Sequence, residues 1–269
     1  MRLLSVCLLS LISTASAASI EQALNRMYNF DFAGADREMD RYIAEKPADP
    51  LGLTFRAASL LFRELERLAI LEGEFFTQDK RLIDKKKLSP DLAVKDRLMA
   101  AIEQSKAIAR NRLASAPNDS NALFALCLDA GLITDYMSLI EKRHLGSLTY
   151  AKESHSHAVK LLKLDPSFTD AYLTTGMTEY MLGSVPFFVK WFVRFEEAEG
   201  NKKLAIERLN SVIARGKYLG PFAKMLLAII DVREKRPLNA DSRLIELSRD
   251  FPENPLFKKE IEKLRPNLR

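Results

Sequence analysis

The sequence of 269 residues is poor in the side chains that usually carry metal binding, redox chemistry or covalent cross-links. It contains two cysteines, three histidines and one tryptophan. Two cysteines cannot staple a small disulfide-rich domain, and three histidines offer little material for a multi-histidine metal site. Glycine and proline are also scarce, at 10 and 11 residues, which excludes collagen-like and low-complexity chains. A chain of this length buries enough apolar surface to form a core without cross-links.

An excess of charge of one sign is also lacking. The chain has 41 Lys and Arg against 36 Asp and Glu, a formal net charge of +5. Steering of acidic partners by such a small net charge is weak. The densest basic run, Lys80-Arg81 followed by Lys85-Lys86-Lys87, is interrupted by Asp84 and is typical of a solvated loop or helix end. We therefore expect no nucleic-acid partner.

Outside the N-terminus, no window of the sequence approaches 18 uninterrupted apolar residues. Residues 1–17 are predicted to form a secretory signal peptide, with Arg2 before an apolar stretch and a small-x-small cleavage site at Ala15–Ala17. The apolar stretch of about ten residues is too short to span a bilayer. We expect cleavage after Ala17 and export of residues 18–269 to the periplasm of a Gram-negative bacterium or to the medium, with no transmembrane helix left. Cys127 is then the only thiol.

The body of the chain shows a helical pattern. Apolar residues recur at three- and four-residue spacing, whereas the alternation and the Asn-Gly or Asp-Gly turns typical of β-hairpins are missing. Proline cannot continue a helix interior, so each proline-containing turn predicts a helix end. These turns are Lys46–Pro50, Pro117–Asp119, Asp165–Ser167 and Pro252–Pro255. Short turns between many helices predict stacked helix hairpins.

Small residues recur at fixed distances from these prolines. Ala57, Cys127 and Gly176 each stand ten residues after a proline, and the pairs Ala23/Ala35 and Ala228/Ala240 are each twelve residues apart. Two helices approach closely only where both carry small side chains. The regular spacing therefore predicts repeated contacts between the helices of successive hairpins.

This pattern resembles the tetratricopeptide repeat (TPR), a 34-residue helix–turn–helix unit. The matching segments are Tyr28–Pro47, Asp170–Gly183 and Arg236–Pro255. The resemblance implies an all-α fold of antiparallel helix hairpins, stacked as a right-handed superhelical solenoid over residues 18–269. Its concave face, lined by the first helix of each hairpin, would suit a peptide, a helix or another subunit. The stretch from Leu182 onward is also similar to exported repeat proteins of Gram-negative bacteria.

The usual signatures of hydrolases and nucleotide-binding enzymes are not found in the sequence. His155 and His157 lie two positions apart, so a helix points them about 200° apart and they cannot share one metal ion. We interpret them as polar residues on a helix surface and predict no metal, no cofactor and no catalytic residue. The predicted function is a non-catalytic protein–protein interaction scaffold or adaptor. The alternative is a periplasmic binding protein for a small molecule, with an apolar pocket closed by the Trp191 region.

The most unusual segment is an aromatic insertion predicted within residues 184–200. It has five aromatic residues among the nine from Phe187 to Phe195. In a helix that starts at Pro186, two cations share one face and the aromatic residues form the opposite stripe. Three roles stay open, namely a core element between repeats, an exposed anchor for a partner, and a peripheral contact with a membrane surface. The candidate partner-binding residues are Phe187, Phe188, Lys190, Trp191, Phe192 and Arg194.

Overall fold

Helices make up 78% of the chain that the computed structural model describes, which is residues 18–72, 88–185 and 194–268. These ranges contain eleven α-helices and no strand. The helices are α1 (Ile20–Tyr28), α2 (Phe32–Glu45), α3 (Pro50–Arg67), α4 (Leu92–Ser115), α5 (Ser120–Asp135), α6 (His144–Leu164), α7 (Tyr172–Ser184), α8 (Lys202–Arg215), α9 (Gly220–Arg233), α10 (Pro237–Asp250) and α11 (Pro255–Leu264). A π-helical turn, Tyr136–Ile140, follows α5. The predicted signal peptide and the basic run around Lys85 lie outside the described residues.

Consecutive helices pack together as hairpins. The pairs are α1/α2, α3/α4, α5/α6, α7/α8 and α9/α10, and α11 packs against α10 at the C-terminal end. In each pair we call α1, α3, α5, α7 and α9 the first helix and its successor the second helix. The predicted all-α solenoid of TPR-like helix hairpins is confirmed.

The connections between successive hairpins are short turns that carry the predicted prolines. Four prolines are exposed there, each directly after the C-cap of a second helix, namely Pro47, Pro117, Pro166 and Pro252. An Asp or Asn two residues after the proline caps the next helix in three of the four turns. Asp119 Oδ1, for example, accepts a hydrogen bond from the Ala122 backbone N–H at 3.0 Å. The prolines therefore end the helices as the sequence predicts.

The small residues predicted at the helix contacts are all buried. They are Ala23, Ala35, Ala57, Cys127, Gly176, Ala228 and Ala240. A Cβ added at Gly176 would lie 3.3 Å from the Ala205 carbonyl oxygen in the paired helix α8, so a larger residue would push the pair apart. Burial raises the pKa of the Cys127 thiol to about 11, as expected of an unreactive packing residue.

The hairpin array closes on itself. In an open solenoid each repeat contacts only its neighbours. Here Tyr28, at the end of α1, packs against Phe251 with ring centroids 5.3 Å apart. The Asn254 side-chain amide donates a hydrogen bond to the Tyr28 carbonyl oxygen at 2.8 Å, across 226 residues of sequence. Lys259 in α11 forms a salt bridge of 2.7 Å with Glu72, just after α3. The C-terminal end therefore docks on the first two hairpins.

Aromatic side chains fill the space between hairpins that are distant in sequence. Tyr218, in the turn between α8 and α9, has its ring 5.1 Å from Phe55 in α3 and 6.2 Å from Phe124 in α5. Phe168 lies 4.9 Å from Phe124. The resemblance implied an exposed concave face, whereas the chain's own aromatic residues cover part of that face because the array is closed.

Helix α3, the first helix of the second hairpin, is largely buried. In α3, 13 of the 18 residues are buried, including six in succession from Pro50 to Phe55. Six successive residues cover every side of a helix, so α3 is enclosed all round. Within the described chain, one stretch, Ser120–Ile140, has the length and hydropathy of a membrane span. Helices α3, α4 and α6 pack around its α-helical part, α5, which accounts for its apolar character.

The described part of each connection within a hairpin contains one non-glycine residue in the left-handed backbone region. These residues are Phe30, Ala69, Lys142, Glu197 and Lys235, with φ between 51° and 63°. After α9 the Arg236 N–H donates to the Asp231 carbonyl oxygen at 2.7 Å, which closes the helix end around Lys235. Glycine is the usual residue at such positions, so these helix ends carry a local conformational cost.

Replacing Lys235 with glycine is expected to stabilise the protein. Lys235→Gly should raise the free energy of unfolding by about 1 kcal/mol, because glycine adopts positive φ without steric cost. The matched control is Lys258, an exposed residue inside α11, where Lys258→Gly should lower that free energy by about 1 kcal/mol. Urea denaturation followed by circular dichroism measures both changes. A loss of stability in both variants would contradict the left-handed conformation of Lys235.

Candidate functional site

Three long connections emerge along one edge of the array. Because the helices alternate in direction, all the connections within hairpins lie on the same side. The first and fifth are short (29–31 and 234–236), whereas the middle three are long (68–91, 136–143 and 185–201). We call this side the long-connection edge. The insertion predicted at 184–200 is the connection of the fourth hairpin.

Exposed apolar side chains are concentrated at this edge. Among the described residues, five large apolar side chains are exposed. Four of them stand in the first turn of a second helix or the last turn of a first helix: Leu92 (67%), Leu145 (86%), Met181 (59%) and Leu238 (68%). The fifth, Leu164, ends α6 at the opposite side. A single exposed leucine is ordinary, but the restriction of four to one edge indicates a candidate interaction surface. The helical periodicity of the sequence does not predict these exposed residues, because it does not show which face of a helix is left uncovered by neighbouring helices.

The predicted partner-binding residues belong to the fourth connection. Five of them, Phe187, Phe188, Lys190, Trp191 and Phe192, lie outside the described residues. The sixth, Arg194, is described and exposed. The next residue, Phe195, is half-buried and packs edge-on against the ring of His155 in α6, with centroids 5.5 Å apart. The part of this connection from residue 194 onward therefore packs against the surface of α6.

The structure corrects the prediction that His155 lies on a helix surface. His155 is only 1% exposed, because the fourth connection covers its face of α6. Its Nε2 donates to the Glu196 carbonyl oxygen at 2.6 Å, and its Nδ1 lies 3.0 Å from Thr178 Oγ1 in α7. Burial lowers the pKa of His155, against the effect of the hydrogen bond with Glu196. A neutral His155 thus joins α6, α7 and the fourth connection.

The other histidine of the pair is not part of a metal site in the described chain. His157 is partly buried, with Nε2 4.0 Å from Glu153 Oε1 one turn earlier. Across residues 18–72, 88–185 and 194–268, no group of three or more His, Cys, Asp and Glu side chains could hold a metal ion.

A buried glutamate fixes the end of the fourth connection to its first helix. Glu179, near the end of α7, is 2% exposed. Its Oε2 accepts hydrogen bonds from the backbone N–H groups of Gly200 and Asn201, both at 2.8 Å. The backbones also approach closely, since a Cβ on Gly183 would lie 2.9 Å from the Gly200 carbonyl oxygen, and Gly200 has a φ of 84°. The connection therefore returns to one defined position before α8 begins.

In the second hairpin, a buried glutamate likewise fixes the end of the connection. Glu64, near the end of α3, is 1% exposed, and its Oε1 accepts from the Asp91 backbone N–H at 2.8 Å. Arg67 binds both carboxylate oxygens and donates to the Ser89 carbonyl oxygen at 2.7 Å. Despite burial, the hydrogen bonds from Arg67 and Asp91 lower the pKa of Glu64. Buried carboxylates thus fix the ends of the two longest connections.

A buried polar cluster between α3, α4 and α5 was not anticipated from the sequence. The Thr54 hydroxyl donates to Asp129 Oδ1 at 3.0 Å and lies 2.8 Å from the Ser105 hydroxyl. Asp129 Oδ2 has no hydrogen-bond partner in the described part of the chain. Burial raises the pKa of Asp129 to about 7, although the hydroxyls and Lys106 oppose this effect. All three clustered side chains are shielded from solvent, which does not suit a catalytic group.

Loss of the Glu179 carboxylate is expected to release the fourth connection. Glu179→Ala removes the acceptor of two backbone N–H groups and a partner of Arg208, so the free energy of unfolding should fall by about 3 kcal/mol. Limited proteolysis near residues 194–201 should accelerate. The matched control is Glu207→Ala in α8, an exposed glutamate 4.0 Å from Lys203, which should change stability by less than about 0.5 kcal/mol. Equal effects of the two substitutions would contradict the anchoring role of Glu179.

Asp129 predicts a specific pH dependence of stability. Its pKa is about 7 in the folded protein against 3.8 when unfolded, so ionisation of Asp129 destabilises the fold as pH rises through this interval. The unfolding free energy of the native chain, relative to that of Asp129→Asn, should fall by about 1.4 kcal/mol per pH unit between pH 4 and 7 and level off above it. Urea denaturation at several pH values measures this difference. A difference that is independent of pH would contradict the raised pKa.

Comparison with known proteins finds one similar solved structure and no similar sequence. No protein-family description matches the chain, and no curated protein sequence matches it. Among solved structures, it is similar to the crystal structure of TTC0263, a thermophilic TPR protein in Thermus thermophilus. The two share 12% sequence identity with a TM-score of 0.45, over 91% of this chain and 98% of that one. The helix pairs described above, rather than this superposition, establish the TPR-like fold.

Proposed function

We propose that the protein is a non-catalytic scaffold, exported to the periplasm, that binds a protein partner at the long-connection edge. The observation that carries the proposal is the concentration of exposed apolar side chains at this edge, beside two long connections whose ends are fixed by buried glutamates. A TPR-like array of hairpins is suited to protein–protein interaction because it offers extended surfaces on a rigid frame.

Because the interior is closed, we propose the long-connection edge, rather than the concave face, as the binding surface. Peptide ligands of an open solenoid would occupy the concave face, but Phe55, Phe124 and Tyr218 pack against one another there. A partner that entered would have to displace buried aromatic side chains. The edge needs no such rearrangement, since Leu145 is already 86% exposed.

The chemistry of the edge suits a protein partner. Arg143, two residues before Leu145, has a side chain 65% exposed, and Arg194 is exposed in the described part of the fourth connection. Arginine and aromatic residues dominate the energetics of protein interfaces. We therefore propose Arg194 as a partner contact, together with the predicted residues Phe187, Phe188, Lys190, Trp191 and Phe192.

Export is supported by the sequence of residues 1–17 and by the state of the remaining thiol. Cys127 is fully buried, with Sγ 3.3 Å from Thr174 Oγ1. A single buried cysteine needs no disulfide partner and is compatible with an oxidising compartment. We propose no cofactor and no catalytic role, because the buried Thr54–Ser105–Asp129 cluster is shielded from substrates.

The alternative is a periplasmic binding protein for a small molecule, with an apolar pocket closed by the Trp191 region. A carrier would gain stability from one small compound according to RT ln(1 + [L]/Kd), whereas a scaffold would gain it from a macromolecule. Thermal unfolding with candidate ligands distinguishes the two.

Trp191, the only tryptophan, provides the first test. The proposal expects red-shifted emission that acrylamide quenches readily in the mature protein, with a blue shift when periplasmic extract is added. Blue-shifted, poorly quenched emission in the protein alone would exclude Trp191 as an exposed anchor. A blue shift with liposomes instead of extract would assign the segment to a membrane surface.

Site-specific photo-crosslinking tests the edge itself. A photoreactive residue placed at Leu92, Leu145 or Met181 should give the same discrete adduct in cells, because these positions share the proposed surface. The matched control is Leu164, which is exposed at the opposite side of the array. Identical adducts from Leu164, or none from the edge, would contradict the proposed surface.

A further inference from the structure

The first described residue already belongs to the core. Ala18 is 3% exposed and packs in the main apolar cluster. Ser19 caps α1, since its hydroxyl accepts a hydrogen bond from the Gln22 backbone N–H at 3.1 Å, and Ile20 is 1% exposed. Ala18 and Ser19 therefore both contribute to the first hairpin, and a chain that began after Ser19 would lack both the cap and a core side chain.

The backbone nitrogen of Ala18 faces a carboxylate. It donates a hydrogen bond to Glu45 Oε2 at 3.3 Å. Glu45 is the last residue of α2, so this contact joins the start of the first helix to the end of the second helix in the same hairpin. The small-x-small motif Ala15–Ala17 directly precedes Ala18. The predicted cleavage site thus directly precedes a residue that is buried in the first hairpin.

We propose that cleavage between Ala17 and Ala18 converts this contact into a salt bridge between the new N-terminal ammonium of Ala18 and Glu45. The inference rests on the proposed export. Hydrolysis by a peptidase breaks the C–N bond between the two alanines. Water supplies the oxygen with which Ala17 leaves as a carboxylate, and the Ala18 nitrogen, protonated at neutral pH, becomes a cation 3.3 Å from a carboxylate oxygen.

The position of this cation makes a carboxylate partner necessary. A positive charge at the N-terminus of a helix is unfavourable, because the free N–H groups of the first turn already carry partial positive charge. Glu21, the acidic residue in the first turn of α1, lies 3.5 Å from Lys217, which offsets its charge. Glu45 therefore supplies the compensating charge for the new terminus. The bridge links the open ends of α1 and α2, opposite their short connection at residues 29–31.

A thermodynamic cycle on the exported protein tests the bridge. The mature chain is compared with the same chain acetylated at its N-terminal amine, each with Glu45 and with Glu45→Gln. In the free-amine chain, Glu45→Gln should lower the ratio of folded to unfolded protein about three-fold, as expected for a partly exposed ion pair. In the acetylated chain it should have no measurable effect, because an amide carries no charge.

The matched control is Glu262→Gln, at an exposed glutamate of α11, which should have the same small effect with a free or an acetylated amine. Equal effects of Glu45→Gln in both chains would overturn the bridge. Sequencing of the mature N-terminus completes the test, and a first residue other than Ala18 would overturn the assignment. A full-length chain that retains Met1 in the cytoplasm would contradict the proposed export itself, which separates the two failures.

Discussion

Burial of Tyr28 between the first and the last hairpin holds the array closed. Its ring contacts Phe62 in α3 and Phe251 before α11, and its carbonyl oxygen accepts the Asn254 amide. A solenoid whose ends do not meet leaves its inner helices half exposed. Here the inner helix α3 is enclosed, and the larger of the two apolar clusters includes residues from both ends of the described chain, from Ala18 to Leu264. The covered concave face follows from this closure, and the proposal that a partner binds at an outer edge rests on it.

Closure also explains why the buried polar groups are arranged as they are. An enclosed helix cannot satisfy its polar side chains with water, so each must find a partner within the protein. Glu64 and Glu179 find backbone N–H groups at the ends of long connections, and Asp170 accepts from three successive N–H groups at residues 217–219. Asp129 keeps one oxygen without a partner in the described chain, and its raised pKa is the consequence. The buried carboxylates whose oxygens accept these backbone N–H groups thus also hold the ends of the connections in place.

Features that depend on local chemistry could be predicted from the sequence. The prolines end second helices because proline cannot extend a helix, and small residues such as Gly176 mark the contacts within pairs. The left-handed residue Lys235 escaped prediction because its side chain gives no sign of positive φ. The burial of His155 and the enclosure of α3 depend on contacts between distant segments, which no periodicity encodes. The candidate edge could not be predicted for the same reason. Leu145 is exposed because the described chain does not pack over it, and the residue type alone does not show this.

Because the ends of the long connections are fixed, the length of an inserted segment does not change the geometry of the helices around it. Glu179 holds Gly200 and Asn201 whatever lies between Ser184 and these residues, and Glu64 holds Asp91 in the same way. Entropy penalises a longer loop only logarithmically once its ends are fixed. Such a frame tolerates changes in the length and sequence of the inserted segments while the hairpins that carry them stay unchanged.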